Sequence, residues 1–153
     1  GLISENQFRD ELRALSGIHL SDETINMCWN RMLLQMPQKR LDMLNRLKQH
    51  KPLYLLSNTN IIHEKAFSAY IDGVFGWSNF KSIFQKVYFS HHINMRKPDL
   101  EIFEKVLTDN NLNPSTTLFI DDSPQHIEGA RSAGIHAFHL QDGMEVCDLF
   151  GFD

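Results

Sequence analysis

Two cysteines in 153 residues, Cys28 and Cys147, leave no disulfide framework and no metal-type cysteine spacing. They read as reduced thiols of a cytosolic protein, so a cytoplasmic location is expected. No apolar stretch approaches the length of a membrane span and none has the form of a signal peptide, so no membrane partner is expected. A cationic surplus is also missing. Lys and Arg number 15 against 19 Asp and Glu, and the net charge of −4 offers no electrostatic footprint for nucleic acid. There is no internal repeat and no low-complexity tract, and Gly1 opens directly onto helix signals without an initiator Met. What is present is ordinary for a soluble globular chain: 42% apolar and 22% charged residues, with length for one sizeable core and a small appendage.

The first fifty residues read as helices joined by short turns. Ser4 and Gln7 form a capping-box pattern, Phe8, Leu12 and Leu15 recur at helical spacing, and Gly17 is a helix stop. Ser21 caps a second helix with Ile25, Cys28, Trp29, Met32 and Leu33 on its apolar face, and a third runs from about Gln38 to His50. After Pro52 the pattern changes. Leu53 to Leu56 is a short continuous apolar run, the signature of a strand buried on both faces. Asn60 caps a helix to about Tyr70, a looser loop spans Asp72 to Ser82, and Val87–Phe89 reads as a second strand. Pro98 opens a helix with Asp99 and Glu101 in its first turn, and Asn113-Pro114 breaks it. Thr117 to Ile120 is a third strand, Ser123-Pro124 caps the next helix, Gly134 ends it, and Ile135 to Leu140 is a fourth strand. Strands alternating with helices at this spacing predict an α/β fold with a parallel sheet and right-handed crossovers.

Three strand ends carry chemistry. In an open parallel sheet ligands bind beyond the carboxyl ends of the strands, which would let Ser57-Asn58 and Asp121-Asp122 share one crevice. Ser57 Oγ and the amides after it can donate to a phosphoryl oxygen, helped by the helix start at Asn60. Lys97, held extended by Pro98, supplies a point positive charge. Asp121 and Asp122 are hard oxygen ligands suited to Mg²⁺, which takes one or two carboxylates together with waters and phosphate oxygens. Each signal alone is a common turn or helix cap; order, placement and chemistry agree only when the three are taken together.

The segments Leu55–Asn60, Arg96–Phe103 and Leu118–Ala130 resemble the second, third and fourth motifs of the haloacid dehalogenase-like (HAD) hydrolase superfamily, with a likeness running from about Ile3 to Leu149. It is nearest the small sugar-phosphate phosphatases with a helical cap, of the glucose-1-phosphate phosphatase type. The resemblance implies a three-layer Rossmann-like core over residues 51–153 and a partial helical cap over residues 1–50. It implies that Ser57, with Asn58, binds the phosphoryl group, that Lys97 holds nucleophile and phosphate in place, and that Asp122 ligates Mg²⁺ directly with Asp121 supporting it. An acidic pair favours metal-assisted phosphoryl transfer over dehalogenation, and the implied partner is a small phosphorylated metabolite bound by a monomer or weak dimer.

The family's first motif is an Asp-x-Asp at the end of the central strand, whose first carboxylate forms an aspartyl-phosphate. Nothing here qualifies: Asp10, Asp22 and Asp42 lie on amphipathic helices. The chain is therefore expected to be a truncated piece of a longer enzyme, inactive alone, with its sheet interrupted where the central strand belongs. The alternative is a non-catalytic HAD-like domain that keeps a phosphate or metal site as a binding module. A response-regulator receiver would place its acids first and its lysine last, the reverse of the order here. Other residues read as structural. His91-His92 is expected to be a plain loop, because neighbours in an irregular segment rarely converge on one ion. His126 is expected on a helix surface, the basic stretch Lys39, Arg40, Arg46, Lys48 and Lys51 on a solvated helix, and Trp29 with Met27, Met32 and Met36 in the cap core.

Overall fold

The computed structural model describes residues 2–151; Gly1, Phe152 and Asp153, at the outer ends of the two expected domains, lie outside the described residues. The chain forms two compact units, one running to Asn94 and one from Met95 onward.

The first unit opens with three helices. α1 (Glu5–Ser16) begins on the capping box, with Ser4 and Gln7 satisfying each other's backbone amides, and ends at Gly17, whose φ of +66° needs a residue without Cβ strain. α2 (Asp22–Asn30) starts at Ser21, whose hydroxyl accepts from the Thr24 amide, and α3 covers Gln38–Leu47. α1 and α2 are laced together by Arg9, which pairs with Asp22 at 3.0 Å, and by the Arg13–Asp22 pair. β1 (Tyr54–Ser57) leads into α4 (Ile61–Val74), where Asn60 Oδ1 accepts from the His63 amide at 3.0 Å. The expected loop from Asp72 to Ser82 instead contains α5 (Trp77–Lys81). Asp72 Oδ1 accepts from the Trp77 amide at 2.8 Å, and buried Phe80 stacks on Trp77 with 5.6 Å between ring centroids. A side-chain start signal and an aromatic anchor thus make a helix of a stretch too short to show periodicity. β2 (Lys86–Phe89) follows, then one helical turn, α6 (Ser90–Ile93).

In the second unit, α7 (Leu100–Asp109), β3 (Leu118–Asp121), α8 (Pro124–Ser132) and β4 (His136–His139) follow in order. Strand pairing is parallel throughout, as expected, and the fold is α/β and Rossmann-like. β1 pairs with β2, Ser57 opposite Phe89, and β3 with β4, Asp121 opposite His139. Among the described residues the ladders are two two-stranded pairs, one in each unit. β1 is half-buried along its length rather than buried on both faces as expected, and among the described residues β2 is its ladder neighbour.

The first unit's core is a cluster of Leu41, Ile71, Phe80 and Ile83, with Leu53, Leu55, Phe67 and Met36 packed against it. The second unit buries Ile102, Phe103 and Val106 of α7 against Ile127 and Ala130 of α8, and Ile135 before β4. Of the residues expected in a cap core, Met36 reaches the cluster and Trp29 packs between Phe8 and His63, at 4.8 and 5.5 Å. Met27 and Met32 do not: they are 57% and 61% exposed, Met32 because α2 stops at Asn30 and loses the helical register that would have turned it inward. No helix among the described residues is long and apolar enough to cross a membrane.

Candidate functional site

Ser57 is the last residue of β1, and the chain turns from it into α4 through Asn58 and Thr59. Ser90 Oγ fixes that turn, donating to the Thr59 carbonyl and accepting from the Thr59 amide, both at 3.0 Å. The Thr59 amide is therefore committed to Ser90, and Ser57 Oγ is the better donor for an incoming anion. Ser57 also lines a cavity of about 280 Å³ whose wall includes Arg40, Tyr70, Phe67, Leu55 and Phe89. Arg40 is half-buried on this wall, not a solvated helix residue as expected, because α3 turns that position inward beside Leu41.

In the second unit the structure brings Lys97 and Asp121 into direct contact. The Lys97 ammonium is 2.6 Å from Asp121 Oδ2, and the two side chains are only 7% and 9% exposed. Lys97 Nζ also lies 5.4 Å from the centre of the Phe119 ring. Asp121 Oδ1 accepts from the Ser123 amide and from His126 Nδ1, each at 2.9 Å. Burial alone would raise the Asp121 pKa, but the Lys97 hydrogen bond and charge, the Ser123 amide and His126 outweigh it and hold the carboxyl below its ordinary value. Gly129 allows this packing. A Cβ there would stand 2.4 Å from the Pro98 carbonyl oxygen and 2.8 Å from Phe103, so α8 rests directly on the backbone just after Lys97.

His126 corrects one expectation. It occupies the first turn of α8, half-buried and bonded to Asp121, rather than a helix surface. Its position just inside a helix that starts immediately after the acidic pair was the signal available in the sequence. The His91-His92 expectation is corrected as well. Both lie in α6 rather than in a loop; His91 Nε2 donates to Glu64 Oε2 at 2.8 Å, and His92 Nε2 lies 2.9 Å from the same oxygen. Burial pushes the His91 imidazole below its ordinary pKa, against the raising effect of Glu64.

The second unit's donor set fits Mg²⁺. Both Asp121 oxygens are occupied by protein donors, which suits a supporting carboxylate rather than a ligand. Asp122 is exposed, its backbone carbonyl accepts from His139 Nε2 at 3.1 Å, and its carboxylate takes no part in the Lys97–Asp121 pair. One solvent-facing carboxylate beside a fixed neighbour matches an ion that keeps most of its waters.

Residues 42–140, which span all three motif segments, match the haloacid dehalogenase-like hydrolase family. The chain belongs to that family. Among curated proteins it is similar to a D-ribitol-5-phosphate phosphatase from Bacteroides thetaiotaomicron, 29% identical over 146 residues that make up 95% of this chain and 70% of that one. Among solved structures it is similar to a HAD family enzyme from Bacteroides thetaiotaomicron, crystallised with magnesium and inorganic phosphate. The two are 35% identical with a TM-score of 0.87, covering 98% of this chain and 75% of that one. A HAD-like family hydrolase from Porphyromonas gingivalis gives a TM-score of 0.84 at 29% identity, over 95% of this chain and 70% of its own. Within the HAD family the chain is thus a hydrolase with phosphatase relatives.

Proposed function

We propose that this HAD chain carries the phosphate-binding and metal-binding residues of a Mg²⁺-dependent phosphatase acting on a small phosphate monoester of the sugar-phosphate type. The observation that supports this most is the buried Lys97–Asp121 pair at the end of β3, with the exposed Asp122 carboxylate next to it. An acidic pair of which one member faces solvent favours metal-assisted phosphoryl transfer over dehalogenation, which needs no metal in the family this chain resembles. The D-ribitol-5-phosphate phosphatase relative supports a phosphorylated polyol or sugar as the substrate class.

In this reading Ser57 Oγ and Asn58 bind phosphoryl oxygens at the end of β1. Arg40, on the wall of the cavity that Ser57 lines, adds charge complementarity for an anionic substrate. Lys97 holds Asp121 ionised and in one orientation, and its charge favours a phosphate dianion. Asp122, with Asp121 behind it, would hold Mg²⁺, which when bound offsets charge on the phosphoryl oxygens. His126 and the Ser123 amide keep Asp121 from rotating. No Asp-x-Asp occurs among the 153 residues, so we assign the nucleophile of the aspartyl-phosphate to a strand that is not among them. Residues 1–50 would then be part of a helical cap and residues 51–153 the core, in a cytoplasmic monomer or weak dimer whose partner is a small phosphorylated metabolite.

The test compares the 153-residue chain with a longer polypeptide that adds a strand bearing Asp-x-Asp, each assayed on sugar phosphates with and without Mg²⁺. Turnover is expected only from the longer one, only with Mg²⁺, and not after Asp122→Asn. If the longer polypeptide folds, binds phosphate and turns nothing over, a non-catalytic binding module replaces this reading.

A further inference from the structure

Glu64, His91 and His92 come from two segments that the fold brings together. Glu64 lies in the first turn of α4, just after β1, and the two histidines lie in α6, just after β2. Because β1 and β2 are parallel neighbours in register, residues just past their carboxyl ends share one edge. Ser90 closes that edge through its two bonds to Thr59, so the two segments are tied before the three side chains are considered.

The three side chains offer one ligand atom each within 4.8 Å of one another. Both imidazole Nε2 atoms address the same Glu64 oxygen, at 2.8 and 2.9 Å. The rings are placed by packing as well as by polar contacts. His91 stacks on Phe89 at 6.1 Å with 15° between planes, His92 meets Phe89 edge-on at 5.6 Å, and the two imidazoles are 4.2 Å apart. His91 Nδ1 is buried without a hydrogen-bond partner, so the ring's polar contact is the one its Nε2 makes to Glu64.

We propose that Glu64, His91 and His92 bind one divalent transition-metal ion of the Zn²⁺ class. Two imidazole nitrogens and one carboxylate oxygen form a ligand set typical of Zn²⁺ and other first-row ions, whereas the all-oxygen set at Asp121 and Asp122 suits Mg²⁺. Ligand bonds near 2.0–2.2 Å around a tetrahedral ion place the ligand atoms about 3.3 Å apart, so the two histidine–Glu64 spacings have to open by roughly half an ångström. A small rotation of the Glu64 carboxylate, 18% exposed, together with movement of His92, 53% exposed, allows this around His91, which at 7% exposed stays fixed. The exposed side also leaves a position for water. Metal there would cross-link the starts of α4 and α6 and so stiffen the turn after Ser57.

The experiment titrates the chelator-stripped chain with Zn²⁺ by calorimetry in excess Mg²⁺, and follows thermal unfolding with and without Zn²⁺. One Zn²⁺ per chain and a raised unfolding midpoint are expected, with Co²⁺ giving a visible d–d band. Affinity should fall by about tenfold or more in His92→Gln, whose exposed position spares the fold, and in Glu64→Gln. Asp122→Asn should leave it unchanged. No stoichiometric binding, equal binding in His92→Gln, or loss in Asp122→Asn overturns the assignment, and none of these outcomes depends on phosphatase activity.

Discussion

Replacing Lys97 by Met keeps a stem of similar length beside Phe119 and removes the charge that faces Asp121. The wild-type pair is buried, with side chains 7% and 9% exposed and 2.6 Å between Nζ and Oδ2. Breaking one partner of such a pair typically costs 3–5 kcal/mol, because the remaining charge is left desolvated. Asp121 keeps two other donors, the Ser123 amide and His126 Nδ1, so the lower end, about 3 kcal/mol, is expected. Urea unfolding followed by circular dichroism measures this directly. With a slope of roughly 1.5 kcal/mol per molar, the midpoint should fall by about 2 M with little change in slope. Lys97→Met combined with Asp121→Asn should recover most of the loss, since a neutral pair leaves no stranded charge. Lowering the pH should also narrow the deficit of the single variant, because without Lys97 burial dominates and Asp121 takes up a proton more readily. A midpoint shift below about 0.5 M, or a double variant no better than the single one, would refute the buried-pair reasoning.

Two further outcomes follow from the second unit. Gly129→Ala drives a methyl into the Pro98 carbonyl and the Phe103 ring, and should cost about 1–3 kcal/mol by thermal or urea unfolding. The acid limb of stability should carry the Asp121 signature. Its folded pKa lies below the ordinary 3.8, so its contribution is complete above that value and is lost as the pH falls through the lower folded one. Thermal midpoints measured from about pH 6 downward should therefore fall mainly below about pH 4, and Asp121→Asn should flatten that fall.

Local signals in the sequence were legible where a single residue carries them. The Ser4–Gln7 capping box, the left-handed stop at Gly17 and the caps at Ser21 and Asn60 all appear where their chemistry requires. So does the alternation of strands and helices that puts Ser57 and Asp121 at strand ends. Harder to see were features made by contacts between distant segments. α5 rests on an Asp72 side-chain bond and on Phe80 packing, not on a periodic pattern. Arg40 looked solvated because a basic run masks one inward-turned position. His91 and His92 gained a common partner only because Glu64, in a different segment, reaches them across the β1–β2 edge. Met32 failed for the opposite reason, since a periodic pattern continued past the point where the helix ends.

The most direct measurement is Mg²⁺-dependent hydrolysis of a sugar phosphate by a polypeptide that joins these residues to an Asp-x-Asp strand, with Asp122→Asn beside it. Release of inorganic phosphate that needs both Mg²⁺ and Asp122 is expected. Equal turnover in Asp122→Asn, or turnover that survives complete chelation of Mg²⁺, would contradict the assignment of Asp122 as the metal ligand of a HAD phosphatase.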